Sequence, residues 1–276
     1  MIKIITDGAS DITAEEEKEL GIRVIPIKVN FSGEEFIPGK NLSTAEFYTK
    51  LSEAKKLPTT SLINEVVYTE VIEEELEMGN EVFVMALSSK LSGSYSALER
   101  AASAINSPRV AICDTLAATI CQQLLVREAV KIAKGGVSLQ ELKKEVDLLK
   151  HRIRLLAIVD DVTNLVKGGR LSGAAGFAAS VLKIKPVVSL IDGEIKAVSK
   201  SVGVRHATES VAKLAKNVDI CRGMCFGHSN CPDRLATFMS AISAKTELKT
   251  DVVFELGAVV GTHAGQGCVG VAYFEK

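Results

Sequence analysis

The chain has 276 residues, 47% of them hydrophobic and 24% charged, a composition that supports one large or two ordinary folded domains and excludes a disordered chain. Lys and Arg (33) nearly cancel Asp and Glu (34), so no global field directs the protein to nucleic acid or to an anionic membrane. No apolar run approaches the roughly 20 residues of a membrane span, and the opening MIKIITDG reads as a strand entering a turn, not as a signal peptide.

Residues 2–6 have the apolar run of a strand, followed by a helical stretch ending near Leu20. Residues 23–31 read as extended, with a turn at Ser32-Gly33. Ser43 and Glu46 make a capping box and predict a helix over 41–51. Pro58-Thr59-Thr60-Ser61 precedes a Glu-rich helix reaching about Met78. Thr60 or Ser61 there reads as an N-cap, although a helix start with spare hydroxyls and free N–H groups also suits an anion. Residues 81–87 form a buried strand, and the segment from Ser88 to Tyr95 links it to a helix, where open α/β sheets hold their ligands. Four serines in that segment exceed what one cap needs, and Gly93 leaves Ser92 approachable. A strand over 109–114 and helices over 116–133 and 138–150 complete the first half.

The second half opens with a strand over 154–161, running into a short helix that stops at Lys167-Gly168-Gly169. Residues 185–200 read as a hairpin joined at Asp192-Gly193. A helix (203–217), a strand (219–227), a helix (232–244) and strands at 249–255 and 268–274 follow. Between the last two, the glycine-rich stretch 257–270 reads as a loop carrying His263, with glycines on both sides that let the chain approach a ligand. The early strand-helix alternation predicts a mainly parallel sheet flanked by helices, and the later hairpin a mixed sheet with helices. The expected fold is therefore two α/β domains, 1–154 and 155–276, side by side.

Cys221, Cys225, Cys231 and His228 raise the question of a metal. Period-two spacing places Cys221 and Cys225 on one face of a strand, where buried structural thiols are the expectation and no metal is assigned. All six cysteines read as reduced thiols of a cytosolic protein. The nucleophile elbow G-x-S-x-G, the phosphate loop G-x-x-x-x-G-K-[ST], G-x-G-x-x-G after a strand and H-E-x-x-H are all absent from the sequence. A hydroxyl-rich, metal-free site of this kind suits holding a carboxylate. A hydrolase or transferase using Ser92 and His263 is the alternative.

In order along the chain, TDGASDIT (6–13), PTTS (58–61), LSSKLSGSYSA (87–97), CDTLAAT (113–119), LVKGGRLSG (165–173), KPVVSLIDGEI (185–195) and GTHAGQGCVGVAYF (261–274) resemble the DegV family. The resemblance implies a cytoplasmic, non-catalytic protein without cofactor that encloses a long-chain fatty acid between its two domains. It implies a binding subunit of bacterial fatty acid kinase, presenting the acid to a separate ATP-using kinase subunit that makes acyl phosphate for phospholipid synthesis, with at most transient membrane contact. Carried over to this chain, Thr60, Ser61, Ser92, Gly93 and His263 would hold the carboxylate, without a fixed Lys or Arg charge beside it, and Arg170 would contact the kinase. The sequence also departs from the pattern. Val202 and Val204 stand where basic residues are expected, which fits a lipid-binding regulator without a kinase partner. Cys121 and Gln123 replace expected glycines, with a change of tunnel shape as the expected consequence, and Gly8 replaces a serine.

Overall fold

A computed structural model describes residues 1–173 and 184–276. The first part runs β1 (Ile2–Asp7), a 3-10 turn (Gly8–Ser10), α1 (Ala14–Leu20), β2 (Arg23–Ile25), β3 (Val29–Phe31), β4 (Glu34–Phe36), α2 (Thr44–Glu53) and β5 (Thr59–Thr60). It continues through α3 (Glu65–Glu77), β6 (Glu81–Ala86), α4 (Ser94–Ile105), β7 (Val110–Asp114), α5 (Thr119–Lys134) and α6 (Leu139–Leu149). The second part runs β8 (Ile153–Ile158), α7 (Thr163–Lys167), β9 (Leu171–Ser172), β10 (Ile184–Ile191), β11 (Glu194–Val202) and α8 (Gly203–Leu214). It ends with β12 (Met224–His228), α9 (Pro232–Ser243), β13 (Val253–Glu255), α10 (Ala258–Ala264) and β14 (Val269–Phe274).

β2, β1, β6 and β7 pair in that order as a parallel sheet. Its central strands are apolar without alternation because both faces are covered, as a parallel sheet requires. Ile4, Phe83 and Met85 pack with Leu124 of α5 and Leu142 of α6. Ile5, Val82 and Val84 face the other way, onto Tyr68 and Ile72 of α3 and Leu98 of α4. The second sheet is mixed, in the order β13-β12-β14-β8-β10-β11-β9. Its β10–β11 hairpin turns at Asp192 (φ 52°) and Gly193 (φ 83°), two successive left-handed residues matching the twist of paired strands. The expected fold class, a parallel and a mixed sheet with helices, is what forms. A small antiparallel sheet, β4-β3-β5, adds to it.

α5 lies between the two large sheets. Residues from Thr119 to Val126 are buried along its whole circumference, the pattern of a helix enclosed on all sides. One core cluster joins Phe83 and Met85 of the first sheet, through Ile120, Cys121, Leu124 and Leu125, to Leu155, Ala272 and Phe274 of the second.

Four expectations are corrected. Neither Thr60 nor Ser61 caps a helix: Thr60 forms β5 with Thr59, the two paired with Val29 and Asn30, and Ser61 follows that strand. α3 starts later, with the Asn64 side chain accepting from the Val67 N–H. Cys221 is exposed in a turn ahead of β12, so it shares no strand face with buried Cys225. The glycine-rich stretch near the C-terminus contains α10 in place of a continuous loop. Its Gly261 is needed for packing, since a Cβ there would lie 2.6 Å from Phe47 Cε1 and 3.0 Å from Tyr48 Oη.

Candidate functional site

Ala9, Ile27, Leu87 and Ala118 follow the C-terminal ends of β1, β2, β6 and β7, and all four line one cavity of about 230 Å³. The opposite wall comes from the second sheet. Gly227, Gly270, Ala157 and Val188 are direct partners across β12, β14, β8 and β10, so they form one row along the cavity. The lining is mostly aliphatic. Its polar members include Thr60, Ser61, Ser92, Arg170 and His263. Ser61, Leu62 and Gly93 also line the cavity and are exposed, which places its mouth beside them.

Thr60 and His263 come from opposite ends of the chain and meet, with Thr60 Oγ1 2.9 Å from His263 Nε2. β5 fixes the threonine. α10 fixes the histidine, and is itself held by contacts with the first half. Tyr48 Oη donates to the Leu256 carbonyl (2.8 Å), and the Gly257 N–H donates to Asp11 Oδ1 (2.9 Å). Ser92 sits at the entry of α4. Its Oγ accepts from the Ser94 N–H (3.2 Å) and lies 3.0 Å from Ser94 Oγ, which in turn accepts from the Ile63 N–H (3.1 Å). These bonds join the Ser92 loop to the segment following Thr60. Ser88 has a different role, donating to the Gly193 carbonyl at the hairpin tip (2.7 Å).

Below the cavity, Asp7 is buried and accepts from the Leu87 N–H (2.7 Å), the Ala9 N–H (3.0 Å) and Gln122 Nε2 (3.2 Å). Burial outweighs these donors and pushes its carboxyl up to about 6. The bonds hold two cavity-lining residues, Ala9 and Leu87. This role of Asp7 was not singled out in the sequence.

Burial, reinforced by the Arg170 cation, pushes His263 down to about 4, so the imidazole is neutral at physiological pH. Between pH 4 and 6.5 the unfolded chain therefore binds more protons at His263 than the folded one, and stability contributed there rises with pH. A shift of that size corresponds to about 3 kcal/mol. Chemical denaturation at pH 4 and pH 7 should show wild type gaining that much more than His263→Gln over the interval. An equal gain in both would assign the pH dependence to other groups.

Arg170 corrects one expectation and qualifies another. A fixed cation does stand at this site, because Arg170 lines the same cavity. It is half-buried, with Nε donating to the Leu91 carbonyl (3.1 Å) and Nη1 to the Gly168 carbonyl (2.5 Å), so two of its donors are held by backbone carbonyls. Cys121 and Gln123 do not line the cavity; their neighbours Thr119 and Ile120 do. Val202 is exposed on the surface and Val204 is half-buried. For hydrolysis by Ser92, a hydrogen bond to His263 would be expected. Instead the serine bonds Ser94 and the histidine bonds Thr60. Among the described residues no group of three or more His, Cys, Asp or Glu side chains is placed to hold a metal ion.

Over residues 1–276 the chain matches the family described as "Uncharacterised protein, DegV family". A DegV domain-containing protein of Caldanaerobacter subterraneus is 31% identical over 278 residues, covering 100% of this chain and 99% of the relative. Two solved structures are similar throughout. A DegV family protein from Thermus thermophilus, described for its fatty acid binding, has 29% identity and a TM-score of 0.89, covering 100% of this chain and 99% of that one. DegV from Bacillus subtilis, described as a fatty acid binding protein, has 28% identity and a TM-score of 0.84, with the same coverage.

Proposed function

The chain belongs to the DegV family, and from that premise we propose that it encloses one long-chain fatty acid in this cavity and presents the carboxylate to a separate ATP-using kinase subunit. The observation that carries the reading is an aliphatic cavity whose mouth is marked by the Thr60–His263 pair, Ser61, Ser92 and Gly93. The fatty acid-binding descriptions of the Thermus thermophilus and Bacillus subtilis proteins support it.

Transfer energetics explain the division of labour. Each buried methylene contributes about 0.8 kcal/mol, so a tail of about 15 contributes roughly 12 kcal/mol before the entropy of binding is subtracted. A hydrogen bond to the charged head adds about 1.5–3 kcal/mol, so the tail sets affinity and the head sets position. A neutral His263 whose Nε2–H donates to Thr60 Oγ1 leaves the threonine O–H free to donate to a carboxylate oxygen. Ser92 supplies a second hydroxyl donor. Because Ser61 and Gly93 border the opening, the head group lies where a phosphoryl donor held by another protein can reach it.

In this reading the cavity lies between an N-terminal domain (1–154) and a C-terminal domain (155–276), and the remaining exposed edge of Arg170 contacts the kinase. The chain itself performs no chemistry. Six free thiols suit a cytoplasmic location, and among the described residues no helix is long and apolar enough to cross a membrane.

Denaturing extraction of the purified protein, followed by mass spectrometry, should recover one long-chain acid per chain. Recovery of none, together with no uptake of added acid, would end the proposal. Ester turnover by the isolated chain without ATP or partner would favour the Ser92/His263 alternative.

A further inference from the structure

Two glycines close α7, but different forces require them. Gly169 has φ +71°, in the left-handed region that favours glycine, and a Cβ there would meet nothing within 4 Å. Gly168 has φ −75° and ψ −10°, a backbone that any residue adopts. Yet a Cβ on Gly168 would lie 2.8 Å from His263 Nδ1, 3.5 Å from His263 Cε1 and 2.9 Å from the Asn164 carbonyl oxygen. The backbone dihedrals do not require a glycine here; the close approach of the Asn164 carbonyl and of the imidazole does.

The ring has little room to retreat. Its far nitrogen, Nε2, already lies 2.9 Å from Thr60 Oγ1. α10 is pressed onto Phe47 at Gly261 and tethered at its start by Asp11, while Asn164 Nδ2 donates to the Thr262 carbonyl (3.4 Å). The turn is equally fixed, because Arg170 ties the Gly168 carbonyl to the Leu91 carbonyl, one residue before Ser92.

We infer that Gly168 is a positioning residue for the head-group site: the space left by its missing side chain seats the His263 imidazole against Thr60. Its consequence for the ligand rests on the fatty-acid reading, whereas the seating of the ring does not. The three residues Gly168-Gly169-Arg170 thereby set both sides of the site, His263 by contact and the Ser92 loop by hydrogen bond.

The test compares full-length wild type, Gly168→Ala, Gly169→Ala, His263→Ala and the double variant Gly168→Ala/His263→Ala, with hexadecanoate as the probe. Gly168→Ala should weaken hexadecanoate retention about tenfold or more, the loss of one hydrogen bond to a charged head. The same change should add less than about twofold once His263 is alanine, since the clash with the ring has then gone and the remaining contact, with the Asn164 carbonyl, weakens stability and not retention. Gly169→Ala should lower Tm while leaving retention near wild type. In ligand-free protein, the His263 NMR titration should move up from about 4 toward that of an ordinary histidine in Gly168→Ala, because the displaced ring meets water. An unchanged titration, or an equal further loss on the His263→Ala background, would overturn the inference. Should wild type bind no hexadecanoate, the fatty-acid reading fails and the titration alone decides the positioning. Should Gly168→Ala not fold, folding of the double variant supports the inference and its failure to fold overturns it.

Discussion

Ser92→Ala combined with His263→Ala is expected to weaken retention of a long-chain acid by about 100-fold or more while the fold persists. Ser92 offers one hydrogen bond to a carboxylate and His263 orients a second, from the Thr60 hydroxyl, and two such bonds at about 1.5–3 kcal/mol each amount to about two to four orders of magnitude in the dissociation constant. The loss falls on the head alone, since neither substitution removes aliphatic lining. Structural costs are small by comparison. Ser92 Oγ accepts from the Ser94 N–H at the start of α4, a single local hydrogen bond whose removal costs about 1 kcal/mol. His263→Ala removes a ring already held away from its ordinary protonation, so Thr60 loses a partner near the cavity mouth, where water can replace it. Retention is read by equilibrium dialysis with labelled acid, and the fold by circular dichroism. Unchanged retention in a folded variant would remove both residues from the head-group site. A uniform loss for acids of every length is the signature of a head-group effect.

The polar residues of this cavity were legible in the sequence and its aliphatic walls were not, for a physical reason. Thr60 stands in a run of hydroxyl residues, Ser92 beside Gly93 and His263 between Gly261 and Gly265, and polar groups in such settings call for partners. The wall residues Ile120, Leu155, Leu256 and Val259 are aliphatic in an aliphatic context. Lining a cavity and filling a core need the same composition, so only the fold separates them. Local signals held where local forces decide: the Ser43–Glu46 capping box forms with both reciprocal hydrogen bonds, and the Asp192-Gly193 hairpin turns where expected. They failed where a distant segment decides. β5 exists because β3 lies beside it, and nothing in PTTS announces that partner. α10 was hidden because glycines suggest a loop, whereas Gly261 is there to let a helix approach Phe47 and Tyr48. Arg170 was expected at the surface, yet its charge also reaches His263, since a residue's distance from the surface depends on the whole fold.

Gly227→Val should shorten the acid that the protein accepts, without disturbing the head. Gly227 faces Gly270 directly across β12 and β14, in the row of small residues that forms one cavity wall. A Cβ at Gly227 would lie 2.8 Å from Ile120 Cγ2 and 3.4 Å from Leu256 Cδ1. Both neighbours are side chains that themselves line the cavity, so a branched residue at 227 displaces them into the space left for the tail. Overpacking of this kind costs about 1–3 kcal/mol of stability, which the core joined through α5 should withstand. Losing room for about three methylenes removes about 2 kcal/mol from binding of a full-length acid, about a 30-fold weakening, while acids shorter by that amount bind as before. Offering the variant a mixture of acids and weighing what it retains resolves the two cases, because the Ser92/His263 pair weakens all lengths alike and Gly227→Val discriminates among them. If the retained lengths match those of wild type, the tail does not run past β12 and the row of small residues serves packing alone.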